Sequence, residues 1–318
     1  MKVRFWGVRG SYPVPGPETN RYGGNTSCVQ VLPDSGDILI VDAGTGIRKL
    51  GQELVAGPCR NGCTIHLLIS HTHWDHVQGL PFFAPLHQSG TTIKIYSRRH
   101  GDVHLKSVFE KTAEAPYFPI PFSEFRASVE FVELPADSSF QVGHMQIRTA
   151  PLNHPFEAMA CRVEADGQTV VYASDTAPFD RILLGREFVP EAPAPGTLSD
   201  RERERLAELR QGLVDLCRGV DLLIYDTHFT EDEYQARPHW GHSTPSQAMS
   251  VALAAGAGRL CLFHHAPEHG DVEMDRIVEQ AQEMAAGRIE LCAAREGMVI
   301  DLSQQHSIAS AMVDQETA

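Results

Sequence analysis

Short apolar runs separated by polar or glycine-containing turns recur along the whole chain. Runs of this kind are typical of β-strands that are buried on one or both faces. The pattern predicts strands at Val3–Trp6, Cys28–Leu32, Ile38–Val41, Ile65–Ser70, Thr92–Tyr96, Val129–Leu134, Met145–Ala150, Thr169–Ala173, Leu222–Tyr225, Leu260–Phe263 and Met298–Leu302.

Two helix starts are marked by capping residues. Ser199 and Glu202 have the spacing of a capping box at the start of a helix. The leucines that follow recur at the spacing of one helix face: Leu206, Leu209, Leu213 and Leu216. Thr244-Pro245 begins a second helix, and Gly256 ends it. Strands grouped early and late, with helices between them, predict an α/β fold: an αββα sandwich of two packed mixed β-sheets flanked by helices.

The chain shows no linker and no internal repeat, so one domain is expected over residues 1–303. A segment rich in proline and aromatic residues, at about 98–127, has the composition of a lid-like insertion. A Pro/Ala loop and the capped helix form a second insertion at about 186–218. The polar residues 304–318 are expected to form a disordered tail.

The formal net charge is −14 over 318 residues. Because an acidic surface repels phosphate backbones, a large nucleic acid is not expected as a partner. No membrane partner is expected either, since the chain contains no apolar run of about 18 residues. The first residues lead into a strand rather than an apolar signal core, which predicts a cytoplasmic protein. A homodimer is expected because two-fold dimers are the commonest soluble assemblies.

Seven cysteines are scattered along the chain. Their odd number and irregular spacing argue against a disulfide framework. Cys59 and Cys63 are the only close pair, and their spacing does not suit a structural zinc site. Most of the cysteines are therefore predicted to be small buried apolar residues.

The strongest chemical signal is the run His71-Thr72-His73-Trp74-Asp75-His76, which follows an apolar strand. Crowded imidazoles repel one another when they are protonated, and burying them requires compensating partners. Four metal-ligand side chains within six residues at a strand end therefore point to bound metal. His and Asp ligands without thiolate favour zinc and leave manganese or iron as alternatives.

The motif resembles the His-x-His-x-Asp-His signature of the metallo-β-lactamase superfamily. Further matches lie in order along the chain at Val41–Gly46, Leu152–His154, Ala173–Thr176 and Leu262–His264. The resemblance implies the metallo-β-lactamase fold and two divalent metal ions. By that resemblance, one metal would be held by His71, His73 and His154, and the other by Asp75, His76 and His264. Asp175 would bridge them, and His265 competes with His264 for the last position.

Two cations about 3.5–4 Å apart can share a hydroxide nucleophile and clamp a phosphoryl oxygen. Asp75 could orient that nucleophile, and His242 is the best candidate to protonate the leaving alkoxide. By resemblance to tRNase Z, a carboxylate should orient His242. The corresponding residue here is Asp226, one carbon shorter than the glutamate of that family, which puts the contact in question.

Regions outside the ligands resemble the tRNase Z and phosphoribosyl cyclic phosphodiesterase branch, namely Phe5–Ser11, Gly23–Ser27 and Gly241–Pro245. The tRNase Z enzymes that bind tRNA carry a long arm between the third histidine and the bridging aspartate, and here that interval has room only for a hairpin. A small phosphodiester, such as a cyclic nucleotide or cyclic phosphosugar, is therefore the predicted substrate. Candidate substrate contacts are Asn25, Thr26, Ser27, Tyr117 and Phe118.

Other functions stay open on the sequence. A tRNase Z-like ribonuclease that acts on RNA ends is the first alternative. A thioester or lactone hydrolase is the second, because glyoxalase-type thioesterases share all seven ligand types. A binding domain without catalysis is disfavoured, since every ligand position is filled.

Overall fold

The structure is a computed structural model that describes residues 1–99, 101, 103–184 and 198–304. Its strands are β1 (Lys2–Gly7), β2 (Cys28–Leu32), β3 (Leu39–Val41), β4 (Thr64–Leu68), β5 (Thr92–Arg98), β6 (Ser128–Leu134), β7 (Ser139–Val142), β8 (Met145–Pro151), β9 (Met159–Ala165), β10 (Gln168–Ala173), β11 (Leu222–Asp226), β12 (Arg259–Phe263), β13 (Glu290–Ala293) and β14 (Val299–Asp301). Its α-helices are α1 (Ile47–Ala56), α2 (Trp74–Val77), α3 (Leu105–Thr112), α4 (Asp200–Leu216), α5 (Glu231–Ala236), α6 (Pro245–Ala255) and α7 (Asp271–Ala285). Within the described ranges, no helix is long and apolar enough to span a membrane.

The strands form two seven-stranded mixed sheets. The first has the order β14-β1-β2-β3-β4-β5-β6, and the second has the order β13-β12-β11-β10-β9-β8-β7. In the first sheet, β3 to β6 run parallel, and in the second, β10 to β13 do. The remaining pairs are antiparallel. Loops at the carboxyl ends of parallel strands are where such sheets place ligand-binding residues.

Three apolar cores separate the layers. Side chains of both sheets meet in the central core, where the rings of Phe5 and Phe263 lie 6.1 Å apart. A second core packs α4, α6 and α7 against the outer face of the second sheet. A third packs α1 and α3 against the outer face of the first sheet. The prediction of an αββα sandwich is confirmed.

The strands predicted from apolar runs all occur, with ends shifted by a few residues, but three further strands were missed. These are β7, β9 and β13. The short strands β7 and β13 are the two edge strands of the second sheet, and several of their residues are only partly buried. Their sequences therefore include polar residues. In β9, Arg162 interrupts the apolar run, because its guanidinium reaches out to carbonyls at the end of α4.

Both capped helices lie where the sequence predicts them. Ser199 accepts a hydrogen bond from the Glu202 backbone at the start of α4, and the leucines of the predicted face are buried. Thr244 precedes α6, and Gly256 ends it with φ of 63°. The Pro/Ala loop before α4 falls on residues 185–197, and the tail falls on 305–318, outside the described residues.

The segment at about 98–127 packs on the first sheet through a few of its side chains. It contains α3, whose Leu105 and Phe109 are buried in the third core. Phe122 lies 5.8 Å from the Phe131 ring of β6. Tyr117 is 90% exposed, and Phe118 contacts Phe82, with 5.5 Å between ring centroids. Part of this aromatic segment therefore serves as core, and its role as a lid stays a prediction.

The view of the cysteines needs one correction. Cys59 and Cys63 form a disulfide between the end of α1 and the start of β4. The turn that joins these elements brings the two Cα atoms to 5.0 Å, within the range that a disulfide bridges. Sequence spacing did not reveal this pairing because it depends on how tightly the turn closes. The five other cysteines are free, and all but Cys292 are buried.

Candidate metal centre

Four overlapping groups of potential metal-ligand side chains lie where loops from both sheets converge. Two of them combine His242 and His264, either with His228 or with Asp175 and Asp226. The other two consist of residues that the sequence suggested as ligands. The first group is His71, His73, His154 and Asp175, and the second is Asp75, His76, Asp175 and His264. Within each group the potential ligand atoms all lie within 4.8 Å of one another. The structure thus brings together all seven residues that the sequence suggested as ligands.

Asp175 divides its carboxylate between the two groups. Its Oδ1 lies 3.8 Å from Nε2 of His71 and 3.8 Å from Nε2 of His154. Its Oδ2 lies 3.0 Å from Nε2 of His76 and 3.2 Å from Nε2 of His264. One oxygen faces each group, which is the arrangement a bridging ligand requires.

Strand ends set these positions, and some of them impose an unusual backbone. Asp42 follows β3, Asp175 follows β10 and His264 follows β12, with φ of 63°, 59° and 61°. A non-glycine residue pays roughly 1–2 kcal/mol for this left-handed conformation. Such strain persists where packing holds a residue for function.

A histidine binds a metal through one ring nitrogen. The hydrogen bond that the other nitrogen donates determines which of the two is left to bind. Nδ1 of His76 lies 2.7 Å from Oδ2 of Asp42, a carboxylate that can only accept, so Nδ1 carries the proton. Nδ1 of His154 donates in the same way to the carbonyl of Gly241 at 2.8 Å. Gly241 has φ of 92°, and a Cβ there would collide with the His154 ring. In the neutral ring of either histidine, Nε2 is therefore the nitrogen left to bind a metal.

Asp42 was only part of a family motif at the sequence level, and the structure gives it a clear place. It is fully buried and accepts hydrogen bonds from the Ser70 backbone at 2.7 Å, from the Ser70 hydroxyl at 2.8 Å and from the Tyr172 hydroxyl at 2.6 Å. Its partners come from β10 and from the loop after β4, so no local pattern could have revealed them. Asp42 fixes the His76 ring.

Two buried imidazole nitrogens without a hydrogen-bond partner indicate that these residues suit a metal cation. Nε2 of His71 and Nε2 of His76 are buried without a hydrogen-bond partner, although carboxylate oxygens lie 3.0 to 3.8 Å away. A lone pair that faces a carboxylate at such a distance is repelled unless a proton or a metal cation lies between them. The His/Asp clusters therefore suit divalent metal, and their donor set does not identify which one.

Charge and burial act in opposite directions on these rings. Burial lowers the pKa of His71 and His154, and it lowers that of His73 to about 4. Burial also disfavours the charged form of His76, but Asp75, Asp175 and Asp42 outweigh it and raise the His76 pKa. The three histidines of the first group are thus neutral and ready to coordinate, whereas His76 in the second group needs a proton or a metal cation beside its carboxylates.

Beside the two groups, Nδ1 of His242 lies 2.9 Å from Oδ2 of Asp226 at the end of β11. Asp226 is buried and also accepts from the backbone N–H of His228 at 2.9 Å and of Thr176 at 3.2 Å. The shorter carboxylate therefore does reach His242. Burial opposes protonation of His242, but the charge of Asp226 and its hydrogen bond outweigh it and raise the pKa.

His264 and His265 occupy different environments. Nε2 of His264 lies 3.2 Å from Oδ2 of Asp75, within the second group. Nε2 of His265 instead donates to the carbonyl of Ala294 at 3.0 Å. The structure therefore places His264 with the metal-ligand side chains and turns His265 away from them.

The loop that carries the candidate substrate contacts Asn25, Thr26 and Ser27 forms hydrogen bonds with other parts of the protein. Glu296 accepts from both the backbone and the side-chain amide of Asn25. Thr26 and Ser27 are buried, and the Thr26 backbone donates to the Thr45 hydroxyl at 2.9 Å. These contacts hold the loop in place. A substrate contact by Asn25, Thr26 or Ser27, or by Tyr117 and Phe118, stays a prediction.

Sequence reasoning missed two groups at the centre. The backbone N–H of Ser11 donates to Oδ2 of Asp75 at 2.8 Å, a contact that depends on the turn after β1. His228 is buried with its ring stacked on that of His242 at 4.3 Å, and its Nδ1 lies 3.0 Å from the His264 carbonyl. Its place two residues after Asp226 was the available signal.

Comparisons with known proteins bear on the family and the fold. Residues 38–190 and 206–265 match the family described as "Beta-lactamase superfamily domain". A ribonuclease Z of Haloarcula marismortui is 25% identical over 94% of this chain and 96% of its own. The metallo-β-lactamase fold protein YhfI of Bacillus subtilis has a TM-score of 0.63, with 22% identity over 94% of this chain and 98% of that one. The short form of human tRNase Z has a TM-score of 0.61, with 21% identity over 95% of this chain and 99% of that one.

These findings confirm the resemblance inferred from the motifs, the fold and the class of metal-dependent hydrolase. They also correct one prediction. The exclusion of a large nucleic acid as a partner is wrong, because relatives that align over nearly the whole chain are named ribonuclease Z. Net charge averages over the entire surface, whereas phosphate recognition depends on the few groups around the site.

Proposed function

The chain belongs to the β-lactamase superfamily domain family, and on that premise we propose that it is a two-metal phosphodiesterase that cleaves RNA. The observation that carries the proposal is the divided carboxylate of Asp175, with Oδ2 3.0 Å from His76 and Oδ1 3.8 Å from His71. The same ligand types serve several chemistries, so the substrate is argued from relatives. Those relatives are named ribonuclease Z.

In this proposal, His71, His73 and His154 would hold one metal ion, and Asp75, His76 and His264 would hold the second. Asp175 would serve both groups, because one of its oxygens faces each. When bound, the two ions supply a nucleophile at neutral pH and Lewis-acid stabilisation of the phosphoryl oxygens. Zinc suits these ligands, and manganese or iron are alternatives.

The chain's own groups supply orientation and a proton. The Ser11 N–H, 2.8 Å from Oδ2 of Asp75, fixes a carboxylate that can orient the attacking nucleophile. His242 donates a proton to the leaving oxygen of the ribose. Asp226 acts through His242, because it holds the ring and favours the protonated form.

A smaller substrate is the second candidate, and one observation favours it. Strands β9 and β10 form a hairpin whose turn is Asp166-Gly167, so no extended arm lies between His154 and Asp175. A cyclic nucleotide or cyclic phosphosugar would need no such arm. A thioester or lactone hydrolase has no comparable support in the structure.

The test is turnover by zinc-loaded and manganese-loaded protein on one panel. It contains a precursor tRNA with a 3′ extension, 2′,3′- and 3′,5′-cyclic nucleotides, phosphoribosyl cyclic phosphate and a glutathione thioester. Removal of the 3′ extension, lost in Asp175→Asn, supports the proposal. Cleavage of a cyclic diester without action on the precursor tRNA would replace it with the second candidate. Turnover of the thioester alone would refute both.

A further inference from the structure

Two exposed tryptophans stand close in sequence to residues of the candidate metal centre. Trp74 is 58% exposed and lies between His73 and Asp75, while Trp240 is 50% exposed and stands two residues before His242. The chain's third tryptophan, Trp6, is buried. A single exposed apolar side chain needs no explanation. Two exposed indoles that flank the groups assigned to metal binding and proton transfer suggest a shared purpose.

Direct contacts connect the two tryptophan segments across the centre. Nδ1 of His73 lies 3.1 Å from Nε2 of His154, whose Nδ1 donates to the carbonyl of Gly241, the residue after Trp240. Within the first ligand group, His73 is the one side chain that is not buried, so the group opens to solvent there. Trp74 follows β4 of the first sheet, whereas Trp240 lies in the segment after β11 of the second. The two segments that carry these tryptophans therefore come from different sheets and border the same opening.

A cation accompanies one of the indoles. The Arg237 guanidinium lies 5.1 Å from the centre of the Trp240 ring. Arg237 forms no ion pair with any described residue. When an arginine stacks on an aromatic ring, the N–H donors at the edge of its planar guanidinium stay available to bind phosphate.

We propose that Trp74 and Trp240 stack on unpaired nucleobases on either side of the scissile phosphate, while Arg237 contacts a neighbouring phosphate. Aromatic stacking platforms interleaved with cations are how proteins hold single-stranded nucleic acid, because every base has a face to stack on. The substrate is thereby a nucleotide or a single-stranded RNA end, and not a sugar phosphate or a thioester. This inference rests on the proposed phosphodiesterase function and deepens it.

The test is isothermal titration calorimetry on zinc-loaded protein with adenosine 5′-monophosphate and ribose 5-phosphate, which share a phosphate and differ in the base. In the unsubstituted protein the nucleotide should bind about tenfold more tightly. Trp240→Leu and Trp74→Leu should each reduce that preference severalfold, and Trp240→Phe and Trp74→Phe should keep most of it. Metal content, measured on every variant, should be unchanged.

Phe82→Leu is the matched control, because Phe82 is an aromatic residue with the same 58% exposure as Trp74. Equal affinity for the two compounds in the unsubstituted protein, or no binding of the nucleotide, would overturn the inference. An equal loss in Phe82→Leu would also overturn it. Turnover of methyl 4-nitrophenyl phosphate, a diester without a base, separates the two claims. Absence of that activity counts against the phosphodiesterase, whereas the base preference reports on the indoles alone.

Discussion

Oδ2 of Asp226 lies 2.9 Å from Nδ1 of His242, so a carboxylate at the end of β11 holds the imidazole that precedes α6. The same carboxylate accepts three backbone N–H groups, from Thr176 after β10, from His228 and from Ser243. The loop that carries Asp175 and the ring of His242 are therefore fixed by one buried anion. Asp226 positions His242, and one of its oxygens lies within 4.8 Å of ligand atoms of Asp175, His242 and His264.

Neutralising Asp226 should slow turnover and shift its pH dependence. Burial works against the charged form of His242, and Asp226 raises the pKa above its ordinary value. A proton donor acts only while it is protonated, so kcat falls as pH rises through that pKa. In Asp226→Asn the pKa is lower, and the decline in kcat should begin at lower pH. Profiles of kcat against pH measure the shift.

His242→Ala provides the matched comparison. It should lower kcat by about 100-fold or more, the usual contribution of general acid catalysis, while both metals stay bound. Its decline at high pH should disappear. Unchanged kcat in His242→Ala at full metal content would remove His242 from the mechanism and Asp226 with it.

Asp42 should control metal affinity although it is not a ligand. Asp42→Asn replaces the carboxylate that accepts the Nδ1 proton of His76 with a neutral amide. The His76 ring is then held less firmly in the orientation and tautomer in which Nε2 can bind a metal. Loss of such a partner typically weakens metal binding by about 10- to 100-fold. Competition with a chromophoric chelator measures the change. Tyr172→Phe removes one donor to Asp42 but keeps the carboxylate, so its metal affinity should stay close to that of the unsubstituted protein. Equal affinities in both variants would refute this role.

His265 should make the metal-free protein less stable in acid. Burial lowers its pKa to about 3, below the ordinary value of 6.5. The unfolded chain therefore binds a proton below pH 6.5 that the folded chain excludes, so the free energy of unfolding falls as pH decreases from 6.5 toward 3. One such group contributes a slope of about 1.4 kcal/mol per pH unit.

The control for this effect is His265→Gln, which keeps a donor for the Ala294 carbonyl and has no titratable group. Urea unfolding of metal-free protein at several pH values should give a shallower dependence in this variant. Parallel curves for the two proteins would show that His265 titrates in the folded state much as it does in the unfolded one.

The sequence brought out the candidate ligands, which the structure places close together, because four of them stand in one short run and the others lie near the ends of apolar strands. It predicted the layers well because apolar runs in buried strands need no tertiary information. Contacts between segments that are far apart in the sequence could not be predicted. Asp42 holds His76 from 34 residues away, and Ser11 reaches Asp75 across 64 residues. The partner was misjudged because total charge says nothing about which groups surround an opening.

The central claim, a two-metal centre bridged by Asp175 that cleaves phosphodiesters, is tested most directly by titrating zinc into metal-free protein. Turnover of methyl 4-nitrophenyl phosphate is followed at each addition. The account predicts activity that rises until about two equivalents are bound, since both ions are required for the reaction. It also predicts negligible activity for Asp175→Asn at every zinc concentration. Full activity at one equivalent, or normal activity in Asp175→Asn, would contradict it.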